Sequence, residues 1–257
     1  MLYRATNIVT FVLLAVLLAL HNLWQPLPWW IFALLLMGYT SILVWGSMSI
    51  TAGFYMPVTC KVNTAEKVVA LTFDDGPQTY FTPQVLDILE AQHAPAAFFC
   101  IGKNIEANEE LLKRIHTEGH LIGNHSYSHH FWFDLFGAGQ MLEELRLTDT
   151  LVENATGLRP HFFRPPYGVT NPNLRKAVVR GAYFPLGWNI RSLDTMAKKE
   201  EELLHRIISK LQPGSIILLH DSMEITVKIL PALIEGIRSK GYAIARIDKI
   251  LNVPAYV

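Results

Sequence analysis

The run Val68-Val69-Ala70-Leu71-Thr72-Phe73-Asp74-Asp75-Gly76-Pro77 joins six apolar or β-branched residues to a pair of acids and a turn. A continuous apolar run that stops at turn-forming residues reads as a buried strand. Its end carries two adjacent carboxylates. Asp and Gly are turn formers in their own right, so Asp-Asp-Gly-Pro alone has a purely structural reading. A turn, however, does not require a fully apolar strand leading into it.

Downstream the same grammar repeats. Strand candidates at 96–101, 121–123, 161–164, 184–190, 215–219 and 242–247 bring the total to seven. Helical periodicity separates them, as at 140–154, with Leu142, Leu145 and Leu151 on one face, and at 201–211, with Leu204, Ile207 and Leu211. Strands alternating with helices predict an α/β fold with a largely parallel sheet. A distorted (β/α) barrel and an open doubly wound sheet both satisfy this pattern, and both place active sites at strand C-terminal ends. Asp74, Asp75, His125, Arg164, Tyr167, Asp194 and His220 all fall at such ends, which predicts one shared site.

Upstream the character changes completely, because residues 5–60 contain no Asp, Glu, Lys or Arg. Segments 5–23 and 29–50 are each near the roughly 20 residues that cross a bilayer core as a helix. Trp24, Trp29 and Trp30 flank the connector, where aromatic rings favour the membrane–water interface, and Pro26 and Pro28 suit a tight hairpin. A signal peptide is the rival for the first segment, since Arg4 precedes it. No small-residue cleavage site follows, and a second apolar span does. The chain therefore divides into a transmembrane hairpin with its juxtamembrane segment, 1–60, and a globular domain, 61–257. The domain, about 200 residues, is large enough to bury a full core.

A formal net charge of +0 argues against nucleic acid, which demands a basic surface. Cys60 and Cys100 have no Cys neighbour at metal-binding or redox spacing. The nicotinamide and phosphate-loop fingerprints are absent.

His125-Ser126-Tyr127-Ser128-His129 sets two imidazoles four residues apart, so that a helical turn or a tight loop could aim both at one ion. With 10 histidines in the chain, such a pair alone is a weak signal. The acids at 74 and 75 strengthen it, because two His and one carboxylate make an open metal site.

Together with Phe163-Arg164-Pro165-Pro166-Tyr167-Gly168 and Ile217-Leu218-Leu219-His220-Asp221, these motifs resemble the polysaccharide deacetylase family, the NodB homology domain of carbohydrate esterase family 4. The resemblance covers roughly residues 68–250, in the family's motif order. It implies a distorted (β/α) barrel of about seven parallel strands, here preceded by two transmembrane helices. It also implies that Asp75, His125 and His129 bind one divalent metal, commonly zinc, with cobalt, nickel, iron(II) or manganese as alternatives.

The remaining roles follow from the same resemblance. Asp74 matches the general base that takes a proton from the attacking water, and Arg164 matches the arginine that positions it. The Tyr167 backbone N–H matches the oxyanion donor, and Leu218 an apolar position shaping the pocket for the acetyl methyl. His220 matches the general acid for the departing amine, and Asp194 the acid that orients it. One departure stands out. Where the family reads Asp-x-x-Asp-Trp, this chain has Arg191-Ser192-Leu193-Asp194-Thr195.

The expected activity is metal-dependent hydrolysis of N-acetyl groups on amino sugars of peptidoglycan, a chitin-like glycan or a lipid-linked sugar. The altered 191–195 segment motivates an alternative, a catalytically impaired, membrane-bound carbohydrate-binding relative. Arg4, Lys61 and Lys67 outside the hairpin, against no basic residue in its connector, bias both termini toward the cytoplasm. No protein partner is inferable from the residues.

Overall fold

The protein is described from a computed structural model covering residues 2–257. Two helices come first, α1 (Leu2–Leu23) and α2 (Trp29–Met48), each long and apolar enough to cross a membrane. Helix α1 buries none of its residues, so it is not the core helix of a soluble domain.

The remaining elements alternate: β1 (Val68–Asp74), α3 (Phe81–Ala91), β2 (Ala96–Cys100), α4 (Gly102–Ala107), α5 (Glu109–Thr117), β3 (Leu121–Asn124), α6 (Ala138–Thr156), β4 (Phe162–Phe163), α7 (Pro172–Gly181), β5 (Phe184–Pro185), β6 (Ile190–Arg191), α8 (Glu200–Ile208), β7 (Ser215–His220), α9 (Glu224–Ser239), β8 (Ala243–Ile244) and α10 (Ile247–Leu251). Strand order is β5-β4-β3-β2-β1-β7-β6, and β8 pairs with the start of β1. Every strand pair is parallel, as the alternation predicts.

The alternation of β1 side chains explains the layers. Val69, Leu71 and Phe73 pack outward with Val85, Leu86 and Leu89 of α3 and with Ile229, Leu233 and Ile237 of α9. Ala70 packs inward with Phe99, Phe162, Trp188, Ile216 and Leu218, filling the barrel interior. Strand β1 is buried on both faces and lies between β2 and β7, so Asp74 emerges at an interior strand end of the barrel mouth.

The predicted strand at 184–190 is two strands, β5 and β6, lying at opposite edges of the sheet. The Leu186 N–H still donates to the Phe163 carbonyl of β4 (2.9 Å), and the chain then crosses the open side of the barrel to Asn189, whose N–H donates to the Ile216 carbonyl of β7 (3.3 Å). Thr59 bridges to Leu186 and Lys61 to Ser215, so the segment after the hairpin fills this gap. Ile50, Met56 and Val62 are buried in the domain's core. Cys60 and Cys100 are both free.

Candidate active site

The site forms where β1, β3, β4 and β7 end. Asp75 follows β1 in a left-handed conformation (φ 75°), which turns its carboxylate toward the β3 end. Its carbonyl accepts from Gln78 Nε2 (3.0 Å) and Asn104 Nδ2 (2.8 Å), and the Gly76 carbonyl accepts from Ile101 N (2.9 Å). The turn is therefore held from two sides.

The His125 to His129 segment is a loop, not a helical turn. Asn124 shapes it. Its Oδ1 accepts the Ser126 N–H (2.9 Å), while its Nδ2 donates to the Leu145 carbonyl (2.7 Å) and Asp149 Oδ1 (2.8 Å). Ser126 Oγ in turn accepts the His129 N–H (3.1 Å).

Nε2 of His125 and Nε2 of His129 each lie 3.6 Å from Asp75 Oδ1. Donors about 2.1 Å from one ion in a tetrahedral arrangement stand ~3.4 Å apart, so this set fits a divalent metal. His125 Nδ1 lies 2.8 Å from the Arg164 carbonyl, which can only accept. The ring must therefore carry its proton on Nδ1, leaving the Nε2 lone pair free for a metal. Burial, then the charge of His129, pushes the His125 pKa down to about 3, so the imidazole is neutral at physiological pH.

Asp74 points into the same space, with Oδ2 3.7 Å from His125 Nε2. Its other oxygen accepts from Arg164 Nη1 at 2.6 Å. Arg164 is fully buried and held on every side. Thr72 Oγ1 accepts at 2.9 Å, the Gly187 carbonyl at 3.0 Å and the Leu186 carbonyl at 3.3 Å. Its guanidinium lies 4.1 Å from the Phe99 ring centroid and 5.6 Å from that of Trp188. Burial raises the Asp74 pKa above the ordinary carboxylate value, with Arg164 opposing.

Across β1, His220 is paired in register with Asp74. His220 Nδ1 lies 2.7 Å from Asp194 Oδ1, and the His220 N–H donates to Asp194 Oδ2 (2.7 Å). Thr226 Oγ1 (2.7 Å) and the Thr195 N–H (3.0 Å) also donate to that carboxylate. Burial would lower the His220 pKa, but the Asp194 bond and charge, with Asp74 and Asp75, raise it to about 9. Asp194 is held below its ordinary value, because those partners outweigh its burial. Although Thr195 stands where the family has Trp, Asp194 is fully buried.

Tyr167 adopts φ 58° in the turn after β4, and its hydroxyl donates to the His129 carbonyl (3.3 Å). Its ring centroid is 4.6 Å from that of His129. Its backbone N–H makes no hydrogen bond among the described residues, leaving it free as a donor. Leu218 is buried in the barrel interior beside Thr72, one layer beneath Asp74 and His220.

Three supporting residues were not singled out by sequence reasoning: Asn124, Trp188 and Asp221. Asp221 is buried behind the Asp75-Gly76 turn and accepts from Thr82 Oγ1 (2.5 Å), which accepts the Gln78 N–H (2.7 Å). A side chain at Gly76 would collide with the Asp221 carboxylate, so only glycine fits there. Burial raises Asp221 to about 7, with Thr82 opposing. Its place directly after His220, and the Gly after Asp75, were the only sequence signals.

A parallel barrel whose mouth gathers an Asp-His-His group that could hold a metal ion, flanked by a carboxylate–arginine pair and a histidine–carboxylate pair, has the layout of a metal-dependent hydrolase. The chain belongs to the polysaccharide deacetylase family, which it matches over residues 61–202. A peptidoglycan-N-acetylglucosamine deacetylase of Bacillus cereus is 36% identical over 186 residues, covering 68% of this chain and 67% of the relative. Among solved structures, the Bc1960 peptidoglycan N-acetylglucosamine deacetylase superimposes with a TM-score of 0.73 at 28% identity, covering 77% of this chain and 94% of that one. A pseudoenzyme of the same carbohydrate esterase family from Bacillus anthracis, BA3943, superimposes with a TM-score of 0.70 at 26% identity, covering 75% and 68%.

Proposed function

We propose that the protein hydrolyses the N-acetyl group of an amino sugar within a glycan, using a divalent ion, zinc for preference, held by Asp75, His125 and His129. The observation that carries this reading is the convergence of that donor set with the Asp74–Arg164 and Asp194–His220 pairs at one barrel mouth. When bound, the ion polarises the acetyl carbonyl as a Lewis acid and makes water acidic enough for a carboxylate to deprotonate.

The chain's own groups do the rest. Asp74 takes the proton from the water attacking the amide carbon, and Arg164 keeps its carboxylate aimed while opposing the burial that raises its pKa. The free Tyr167 N–H donates to the oxyanion that develops as the carbonyl becomes tetrahedral. His220 gives its Nε2 proton to the amine as the C–N bond breaks and acetate departs. Asp194 holds Nδ1, so the proton on Nε2 is the one left to give. Leu218 lines the floor on which the acetyl methyl rests.

BA3943 motivates the second reading, a catalytically silent relative. The four donors around a buried Asp194 argue against it, since the substitutions at Arg191 and Thr195 leave the Asp194–His220 pair intact.

We read the two apolar helices as retained membrane spans with the domain on the outer face, where a wall glycan lies. The three basic residues at 4, 61 and 67 point the other way, but so few charges orient a long domain weakly. Protease access to the domain in intact cells tests the side. Mass analysis of N-acetylglucosamine oligomers and of peptidoglycan incubated with the full chain tests the reaction. Free amines on the sugars are expected, and unmodified glycans with the metal-loaded protein would refute it.

A further inference from the structure

The hairpin joins the domain at the same end of the barrel as the active site. Ser47, in the last turn of α2, donates from Oγ to the Thr170 carbonyl (2.6 Å), and its own carbonyl accepts the Thr170 N–H (3.0 Å). Thr170 lies three residues beyond Tyr167. Gly46 is buried against the Phe54 ring with no room for a side chain, and the Tyr55 hydroxyl donates to the Leu43 carbonyl (3.0 Å). Helix α1 arrives at the same place, with the Tyr3 ring centroid 5.0 Å from that of Tyr55. From there the chain runs to the opposite end of the barrel, where Lys61 bridges to Ser215 at the start of β7.

Beside that junction the 131–136 loop exposes large apolar side chains. Phe131 is 69% exposed, Trp132 56% and Leu135 74%. Asn171 Nδ2 donates to the Asp134 carbonyl (2.7 Å) and Asn173 Nδ2 to the Phe136 carbonyl (3.2 Å). The loop is thereby fastened to the segment that holds Ser47. The Phe131 ring centroid is 6.4 Å from that of Tyr167, so Phe131 alone of these side chains borders the active-site mouth. Neighbouring exposed apolar residues of this size signal a binding surface, and Trp favours the headgroup layer of a bilayer. Continuity with the ends of α1 and α2 selects the bilayer as the occupant.

We propose that Phe131, Trp132 and Leu135 seat in the headgroup layer of the membrane that α1 and α2 cross, so that the metal-site mouth opens onto that surface and takes N-acetylated sugars presented there. The substrate half of this inference rests on the deacetylase reading above.

The test uses the full chain in phosphatidylethanolamine–phosphatidylglycerol vesicles. A Leu135→Cys variant, with Cys60→Ser and with Cys100 buried, carries an environment-sensitive fluorophore at position 135. Ser239→Cys, at the exposed end of α9, is the control. Lipids spin-labelled near the headgroup should quench position 135 strongly and position 239 hardly at all. Equal, weak quenching at both overturns the membrane contact. In a second arm, the double variant Trp132→Ser, Leu135→Ser is assayed on a soluble N-acetylglucosamine oligomer and on the same oligomer coupled to a phospholipid. Loss of interfacial seating predicts roughly tenfold slower acetate release from the coupled sugar and an unchanged rate on the soluble one. An equal fall on both, or on neither, overturns the proposal. Absence of acetate from either sugar with the wild type refutes the deacetylase reading and leaves the quenching result standing.

Discussion

Replacing Asp194 by Asn should move the alkaline limb of the pH–rate profile without removing the site. The Asp194 carboxylate lies 2.7 Å from His220 Nδ1, and its bond and charge are the main reasons the imidazole pKa stands at about 9 and not at 6.5. Asparagine can still accept from His220 Nδ1 through Oδ1, but its NH2 then faces the His220 N–H, and the charge is lost. Burial then prevails, and the His220 pKa returns to about 6.5 or lower. The return from about 9 to 6.5 corresponds to ~3.4 kcal/mol of lost preference for the protonated form.

His220, as the proposed general acid, must be protonated to act, so the expected effect on rate depends on pH. At pH 8 the wild-type imidazole is ~90% protonated and that of the variant ~3%, a fall of about 30-fold in kcat/KM. At pH 6 both are mostly protonated and the fall is only ~1.3-fold. The assay is acetate release from an N-acetylglucosamine oligomer across pH 5.5–9.5. A loss of the same factor at every pH, or an alkaline limb that does not move, would refute the assigned relation between Asp194 and His220.

The same pair bears on stability. His220 is raised from 6.5 to about 9, so its pairing stabilises the fold fully below pH 6.5 and is lost as pH climbs through 9. Denaturant titration in detergent should record a decline of ~3 kcal/mol across that window, and a flat profile would contradict it. Asp194, held low, loses its share only as pH falls through its depressed pKa. Arg164→Met strands a buried Asp74 and should cost roughly 3–5 kcal/mol, read as a drop in melting temperature. Asp74→Asn leaves Asp75, His125 and His129 in place, so calorimetric zinc affinity should change little while kcat falls ~100- to 10,000-fold.

Much of this site is legible along the chain because its chemistry sits at strand ends that composition announces. The apolar run 68–73 locates Asp74, and the same pattern locates His220 after 215–219. What is not legible is whatever depends on cross-strand geometry. Residues 184–190 look like one strand, yet they separate into opposite sheet edges because the barrel must bridge its open side there. Trp188 packs on Arg164 from that bridge, although nothing in its sequence neighbourhood points to β4. Asn124 and Asp221 act through hydrogen bonds to backbone and to residues distant in sequence, which no local pattern encodes. The missing Asp-x-x-Asp-Trp residues signalled a weakened Asp194, but burial by other parts of the fold and the Thr226 hydroxyl keep that carboxylate dry and bonded.

The metal site is tested most directly by acetate release from the full chain stripped of metal and then titrated with zinc, alongside a His125→Ala variant treated identically. The metal-stripped wild type should be inactive and should recover as zinc is added. The variant, left with two donors, should bind zinc far more weakly than the 10- to 100-fold loss typical of removing an outer partner, and should stay inactive, ~100-fold or more below wild type. Acetate release at full rate by the stripped protein, or by His125→Ala, would contradict the account.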